Sequence, residues 1–127
     1  MIVLAGQSNA NHPATLGALR DYVYPTLVVK AAWNATPLAP VREDGWHWQP
    51  GVGNCYIEMV KTVQETYRKP EWFFWVQGES DVAYGTANNY VENFREFRKE
   101  VRKDLDAPDL KFGIVRLTMP ILREAQE

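Results

Sequence analysis

The sequence predicts an α/β protein, a three-layer α/β/α sandwich built on an open parallel sheet, and three observations carry that prediction. Four short apolar, β-rich runs alternate along the chain with stretches of helical spacing. One of the runs, "WFFWVQ" at 72–77, is apolar without alternation, the pattern of a parallel strand buried on both faces. Strands that alternate with helices connect by right-handed crossovers, which lay helices on both faces of one parallel sheet.

The first run, Met1 to Ala5, breaks at Gly6, Gln7, Ser8 and Asn9. The second, Leu27 to Trp33, runs into Asn34. Asn54 is then positioned to cap a helix in which Tyr56, Met59, Val60, Val63 and Tyr67 recur at helical spacing, with Pro70 as its stop. The third run, Trp72 to Gln77, is followed by "GESD". In the second helix Tyr90, Phe94, Phe97, Val101 and Leu105 form one apolar face, while Glu92, Arg95, Glu96, Arg98, Lys99, Arg102 and Lys103 form its solvated side. The fourth run spans Lys111 to Leu117. With no repeat, low-complexity tract or linker, residues 1–127 read as one domain.

Composition narrows the function. The chain of 127 residues is 46% hydrophobic and 13% aromatic, enough for a packed core. Fourteen basic residues against sixteen acidic ones give a formal charge of −2, with no basic block to neutralise a run of phosphates, which argues against nucleic acid as a partner. No apolar stretch approaches the roughly 20 residues of a membrane-spanning helix, and the apolar start lacks a basic leader, so neither a membrane nor a signal peptide is expected. The single Cys55 makes no internal disulfide and reads as a small core residue beside a helix start. Together these features favour an intracellular protein. No metal-ligand spacing is present, and neither a metal nor another cofactor is expected.

In an open parallel sheet, ligands bind beyond the carboxyl ends of the strands. Those ends here carry Gln7-Ser8-Asn9, Trp33-Asn34, Gln77-Gly78-Glu79-Ser80-Asp81 and Thr118, so the polar residues converge on one edge, provided that every strand is parallel. Ser8, a hydroxyl displayed at a strand end, is the candidate nucleophile; its bland alternative is a helix N-cap. Gln7, Asn9 and Asn34 are the candidates for touching substrate. Trp33, Trp46 and Trp48 offer either a stacking platform for a sugar or core filling. Glu79 and Asp81, two residues apart on one loop, do not make a pair flanking a glycosidic bond. Asn34-Ala35-Thr36 fits a glycosylation sequon, which carries little weight without a secretory signal.

"GQSN" after the first strand, "PGVGN" opening a helix and "WVQGESD" after a buried aromatic strand, in that order, resemble the SGNH-hydrolase superfamily and in particular its sialate O-acetylesterase and acetylxylan-esterase-like branch. The terminal "ILREAQE" is similar to a segment of the same branch. The resemblance implies a flavodoxin-like sandwich and a serine esterase that removes O-acetyl groups from carbohydrate through an acyl-enzyme, without metal. It implies Ser8 as nucleophile, with its backbone N–H in the oxyanion hole. Gly53 would be a second donor, with neighbouring Gly51 as the alternative. Gln77 or its immediate neighbourhood would supply a side-chain amide donor, because Ser80 stands where the superfamily has its third-block asparagine. Glu79 would orient the catalytic histidine or bind substrate.

Ester cleavage of this kind needs an activated hydroxyl and two or three fixed donors around the developing oxyanion, each worth about 2.7–4 kcal/mol. The superfamily's base comes from a D-x-x-H segment after the last strand, and nothing in this sequence matches it. The only histidines are His12, one helical turn from Ser8, and His47, between two tryptophans. The expectation is that the sequence is a partial domain that lacks its last strand, final helix and histidine, and that these residues alone are nearly inactive. The rival from another class is a non-catalytic carbohydrate-binding or structural domain with an incomplete triad. Within enzymes, the rival is a lipid or thioester hydrolase on the same fold.

Overall fold

A computed structural model describes residues 1–7, 27–77, 81 and 84–114. Strand β1 (Ile2–Gly6) is followed by β2 (Val28–Ala32), helix α1 (Asn54–Gln64), β3 (Trp72–Val76), a 3-10 turn (Ala87–Asn89), helix α2 (Tyr90–Asp104) and β4 (Lys111–Ile114). The four strands form one sheet in the order β2-β1-β3-β4. Among the described residues every pairing is parallel. The condition on which the convergence of polar residues depended is therefore met: Gly6 stands opposite both Ala32 and Val76, so three strands end side by side at one edge.

Alternation divides the strand residues between two faces. Val3, Ala5, Val29, Ala31, Phe73 and Trp75 point into the larger core, together with Cys55, Tyr56, Met59 and Val63 of α1 and Tyr90, Phe94, Phe97 and Val101 of α2. Phe97 is the centre of this packing, with ring centroids 4.6 Å from Trp75, 5.8 Å from Phe73 and 5.9 Å from Tyr56. Leu4 and Val76 face the other way, against Val28, Ala32 and Phe74, and are equally buried. Both described helices cover the first face. The helical layer expected on the second face lies outside the described residues.

The helices differ from expectation in their ends. Helix α1 is capped by the extended backbone of Gly53, with no side-chain cap, while Asn54 is already helical and donates from Nδ2 to Asp44 O at 3.4 Å. It also stops a turn early. Tyr67 takes a left-handed φ of 55° and is 96% exposed, so it closes the turn after the helix and does not extend the buried face. Helix α2 buries Tyr90, Phe94, Phe97 and Val101 as their spacing requires. The predicted tail of the fourth strand beyond Ile114 lies outside the described residues.

Gly6 ends β1 for a steric reason. Its φ is +140°, and a Cβ there would lie 2.0 Å from Val76 O. The close approach lets Gln7 N–H donate to Val76 O at 3.0 Å, while Trp33 N–H donates to Gly6 O at 3.2 Å. Only glycine allows the chain to turn there while both neighbouring strands remain bonded to it.

Candidate functional site

The edge formed by the ends of β1, β2 and β3 is held by a buried polar network around Gln77 and Asp81. Asp81 is completely buried. Its Oδ2 accepts from Leu38 N–H at 2.8 Å and from Gln77 Nε2 at 2.5 Å, and its Oδ1 accepts from Ala39 N–H at 3.2 Å and from Thr86 Oγ1 at 2.9 Å. Four donors converging on one carboxylate satisfy a charge that would otherwise be costly to bury. They also stitch the segment after β2 to the segment after β3.

Gln77 is the second member of the network. Its Nε2 donates to Asp81 Oδ2 and, at 3.1 Å, to Thr36 O, while its Oε1 accepts from Tyr90 OH at 2.9 Å. Tyr90 OH in turn accepts from Trp75 Nε1 at 2.9 Å. The amide orientation is fixed by these partners, because a flip would set its oxygen against a carbonyl and a carboxylate. Both amide hydrogens are thus committed within the protein. In this geometry Gln77 builds the edge and has no N–H left to offer an oxyanion.

Gly53 shows a similar displacement of role. Its N–H donates to Gln49 O at 2.9 Å, and a Cβ at this position would meet His47 O at 2.1 Å and His47 Nδ1 at 2.7 Å. Close backbone approach does require glycine here, but the surface approached is the His47 loop. Gly51, the alternative, has a left-handed φ of 77° and open space where a Cβ would be.

His47 is buried, and its Nδ1 accepts from Gln49 N–H at 3.2 Å, which fixes the neutral tautomer with the proton on Nε2. Burial lowers its pKa below 6.5, opposed only by the charge of Asp44. This is a packed loop histidine, as its place between two tryptophans suggested. Trp48 is fully buried, edge-on to Trp75 at 5.1 Å, and donates from Nε1 to Thr36 Oγ1 at 3.0 Å. It therefore belongs to the core and not to a sugar platform. Trp33 and Trp46, centroids 5.7 Å apart, remain half-buried over it. Cys55 is a buried core thiol whose pKa burial pushes up to about 12.

Of the residues expected to touch substrate, Gln7 is buried at the end of β1 and Asn34 is exposed just after β2. Ser8, Asn9, His12 and Glu79 lie outside the described residues. Thr36, the third sequon position, is buried and donates to Trp33 O at 2.9 Å. Among the described residues no group of three or more His, Cys, Asp or Glu side chains is arranged to hold a metal ion. No helix there is long and apolar enough to cross a membrane.

Sequence reasoning names Asp81, Thr36 and Tyr90 but misses their hydrogen-bonded roles at this edge. The available signal was the four-residue step from Gln77 to Asp81, one helical turn, which lets an amide and a carboxylate beyond a strand end meet. For Thr36 and Tyr90 the pairing joins residues 41 and 13 positions from Gln77, and no local pattern announces it.

A four-stranded parallel sheet, helices on its face and a polar network at its C-terminal edge define an α/β sandwich of the kind that places chemistry beyond its strand ends. The family model "carbohydrate esterase, sialic acid-specific acetylesterase" matches residues 29–127, and the chain belongs to that family. Among solved structures it is similar to a protein from Arabidopsis thaliana determined by X-ray crystallography at 1.6 Å resolution, with 28% identity and a TM-score of 0.65. The similarity covers 78% of this chain and 42% of that one, so the chain spans less than half the length of this neighbour. No curated protein matches the chain significantly.

Proposed function

We propose that the protein is a serine esterase that removes O-acetyl groups from carbohydrate. Membership of the carbohydrate esterase family over residues 29–127 carries the proposal. The parallel register supports it, since it brings the end of β1, and with it the chain entering Ser8, beside the end of β3.

In this reading Ser8 Oγ attacks the acetyl carbonyl and gives its proton to a base. The tetrahedral intermediate collapses, the sugar oxygen leaves with a proton, and water then releases acetate from the acyl-serine. Ser8 N–H is the first oxyanion donor. Gly53 N–H joins it only by leaving Gln49 O, and Gln77 contributes by holding the edge rigid. Glu79 orients the base or binds the sugar, and Gln7, Asn9 and Asn34 border the substrate. Among the described residues His47 is the sole histidine, and its buried ring has Nδ1 engaged by Gln49 N–H, so in that tautomer Nε2 already carries a proton and cannot accept the one from serine. The base is assigned to a histidine outside the described residues.

The test uses the full-length protein with 4-nitrophenyl acetate and an acetylated xylo-oligosaccharide. Ser8→Ala should lower kcat by roughly 10⁴–10⁶ with unchanged thermal unfolding. More than a tenth of the activity remaining in that variant would reassign the nucleophile. Absence of hydrolysis by the unaltered protein would favour the non-catalytic carbohydrate-binding reading.

A further inference from the structure

Helix α2 separates its charges by side. On one flank Glu92, Glu96, Glu100 and Asp104 follow one another four residues apart; on the other Arg95, Lys99 and Lys103 do the same, with Arg98 and Arg102 nearer the sheet. A helix face that meets only water gains from opposite charges at this spacing, whereas here the charges four apart are alike and work against the helix. Among the described residues a single ion pair joins the two flanks, Lys103 to Glu100 at 4.0 Å.

The basic flank opens onto a groove of about 540 Å³ whose lining includes Arg95, Arg98, Lys99, Arg102, Lys103 and Asp106. Its one carboxylate, Asp106, is already paired with Lys69 at 2.9 Å. The guanidiniums nearer the sheet are held in place. Arg98 lies over the Phe94 ring at 5.8 Å, Arg102 lies over Phe112 at 5.1 Å, and Arg102 Nε donates to Leu110 O at 3.1 Å. Arg98 Nε is buried and has no hydrogen-bond partner among the described residues. Such a concentration of cations stands out in a chain whose formal charge is −2. It is also remote from the candidate site: Tyr90, at the start of α2, reaches the Gln77 edge, whereas the groove follows the second half of the helix toward the start of β4.

We infer that α2 is the contact between two copies of this chain, each laying its basic flank against the acidic flank of the other. Symmetry selects the arrangement. A two-fold axis along the helices keeps them parallel and exchanges left for right, so unlike flanks meet; a two-fold axis across them sets like against like. The stripes also match in length, since Arg95 to Lys103 and Glu92 to Glu100 each span roughly 12 Å of helix. An extended polyanion or an anionic surface would cross the acidic flank as well as the basic one, which disfavours both as the occupant. A charged contact of this length is small beside the roughly 800 Å² per partner of a stable dimer, so the dimer is weak and sensitive to salt. With the helices parallel, the two candidate edges open on the same side of the pair.

Sedimentation velocity of the full-length protein tests this. At about 0.02 M salt the mass should rise toward that of a dimer as protein approaches about 100 μM, and at about 0.5 M salt it should be that of a monomer. The double variants Arg95→Glu with Lys99→Glu, and Glu92→Lys with Glu96→Lys, alter exposed residues only, so each should unfold at the unaltered protein's temperature and stay monomeric. Mixing the two should restore the dimer, because an acidic helix then meets a basic one. Glu65→Lys with Glu71→Lys makes the same change in net charge at exposed residues away from α2, and mixing it with the first variant should restore nothing. A monomeric unaltered protein at low salt, a dimer in either α2 variant alone, or a mixture of the two that stays monomeric overturns the proposal. If the unaltered protein is monomeric but binds a hexaglutamate peptide that the Arg95→Glu with Lys99→Glu variant does not, the groove serves an acidic partner protein and the second copy is excluded.

Discussion

Removing the carboxylate of Asp81 should cost more than removing any other polar side chain described at this edge. Asp81→Ala strands four donors: two backbone N–H groups, one amide hydrogen of Gln77 and the Thr86 hydroxyl. A buried donor left unpaired costs about 1–3 kcal/mol. The losses are not additive, because Thr86 can rotate toward water and the emptied volume can admit one, so the expected total is about 3–5 kcal/mol. Asp81→Asn separates charge from shape. Every neighbour is a donor, so the new NH₂ must face one, and the least costly choice is the Oδ1 side, where the Thr86 hydroxyl can turn to accept. Ala39 N–H is then opposed, at a cost of about 1–3 kcal/mol. Urea unfolding followed by tryptophan fluorescence measures both, through the midpoint at constant slope. An Asp81→Ala loss below about 1 kcal/mol, or Asp81→Asn equal to Asp81→Ala, would refute the four-donor account.

Two further predictions concern buried groups near α1. His47 has a folded-state pKa below its unfolded value of 6.5, so it binds a proton more readily when unfolded. Its contribution is therefore complete above pH 6.5 and is lost as pH falls from 6.5 toward the folded value. His47→Asn, whose Oδ1 can replace Nδ1 as acceptor for Gln49 N–H, should flatten urea midpoints across that window, and an unchanged slope would exclude His47 as its source. Cys55 is fully buried with a pKa near 12, so its thiolate fraction at pH 8 is roughly 10⁻⁴. A chromogenic disulfide reagent should label it only in urea, and stoichiometric labelling of the native protein within minutes would contradict that burial.

The strands were legible because their signal is local. "WFFWVQ" reads as a doubly buried strand, and in the structure Phe73 and Trp75 are buried in one core and Val76 in the other, while Phe74 is partly buried and Trp72 exposed. Helix α2 was equally plain, since its aromatic spacing and its charged back agree. Helix α1 was misjudged at its end because Tyr67 continues the apolar spacing while the backbone has already turned left-handed. A hydrophobic period does not reveal a change of φ. That the ends of β1, β2 and β3 share one edge was also readable, as it follows from parallel strands alone. What each polar residue does there was not, because hydrogen-bond partners such as Thr36 O for Gln77 are set by tertiary contact.

The glycines make the same point from the other side. Gly53 was marked as a place where something must approach closely, and the His47 backbone does: a Cβ at Gly53 would lie 2.1 Å from its carbonyl oxygen. Sequence alone registers the absent Cβ and leaves the neighbour unspecified. The described edge is accordingly a scaffold whose conspicuous donors are used internally: Gln77 on Thr36 and Asp81, Gly53 on Gln49, and Leu38 and Ala39 on Asp81. Such internal use is what positions an active edge, since a charged or amide group that is fully bonded cannot drift. In the proposed esterase the oxyanion donors would come from groups not used in this way, and Gly6 with the Gln7 N–H to Val76 O bond fixes the end of β1 from which the chain runs on to Ser8. Substitutions in the Gln77–Asp81 network should then register first as stability, while those at Ser8 register as turnover.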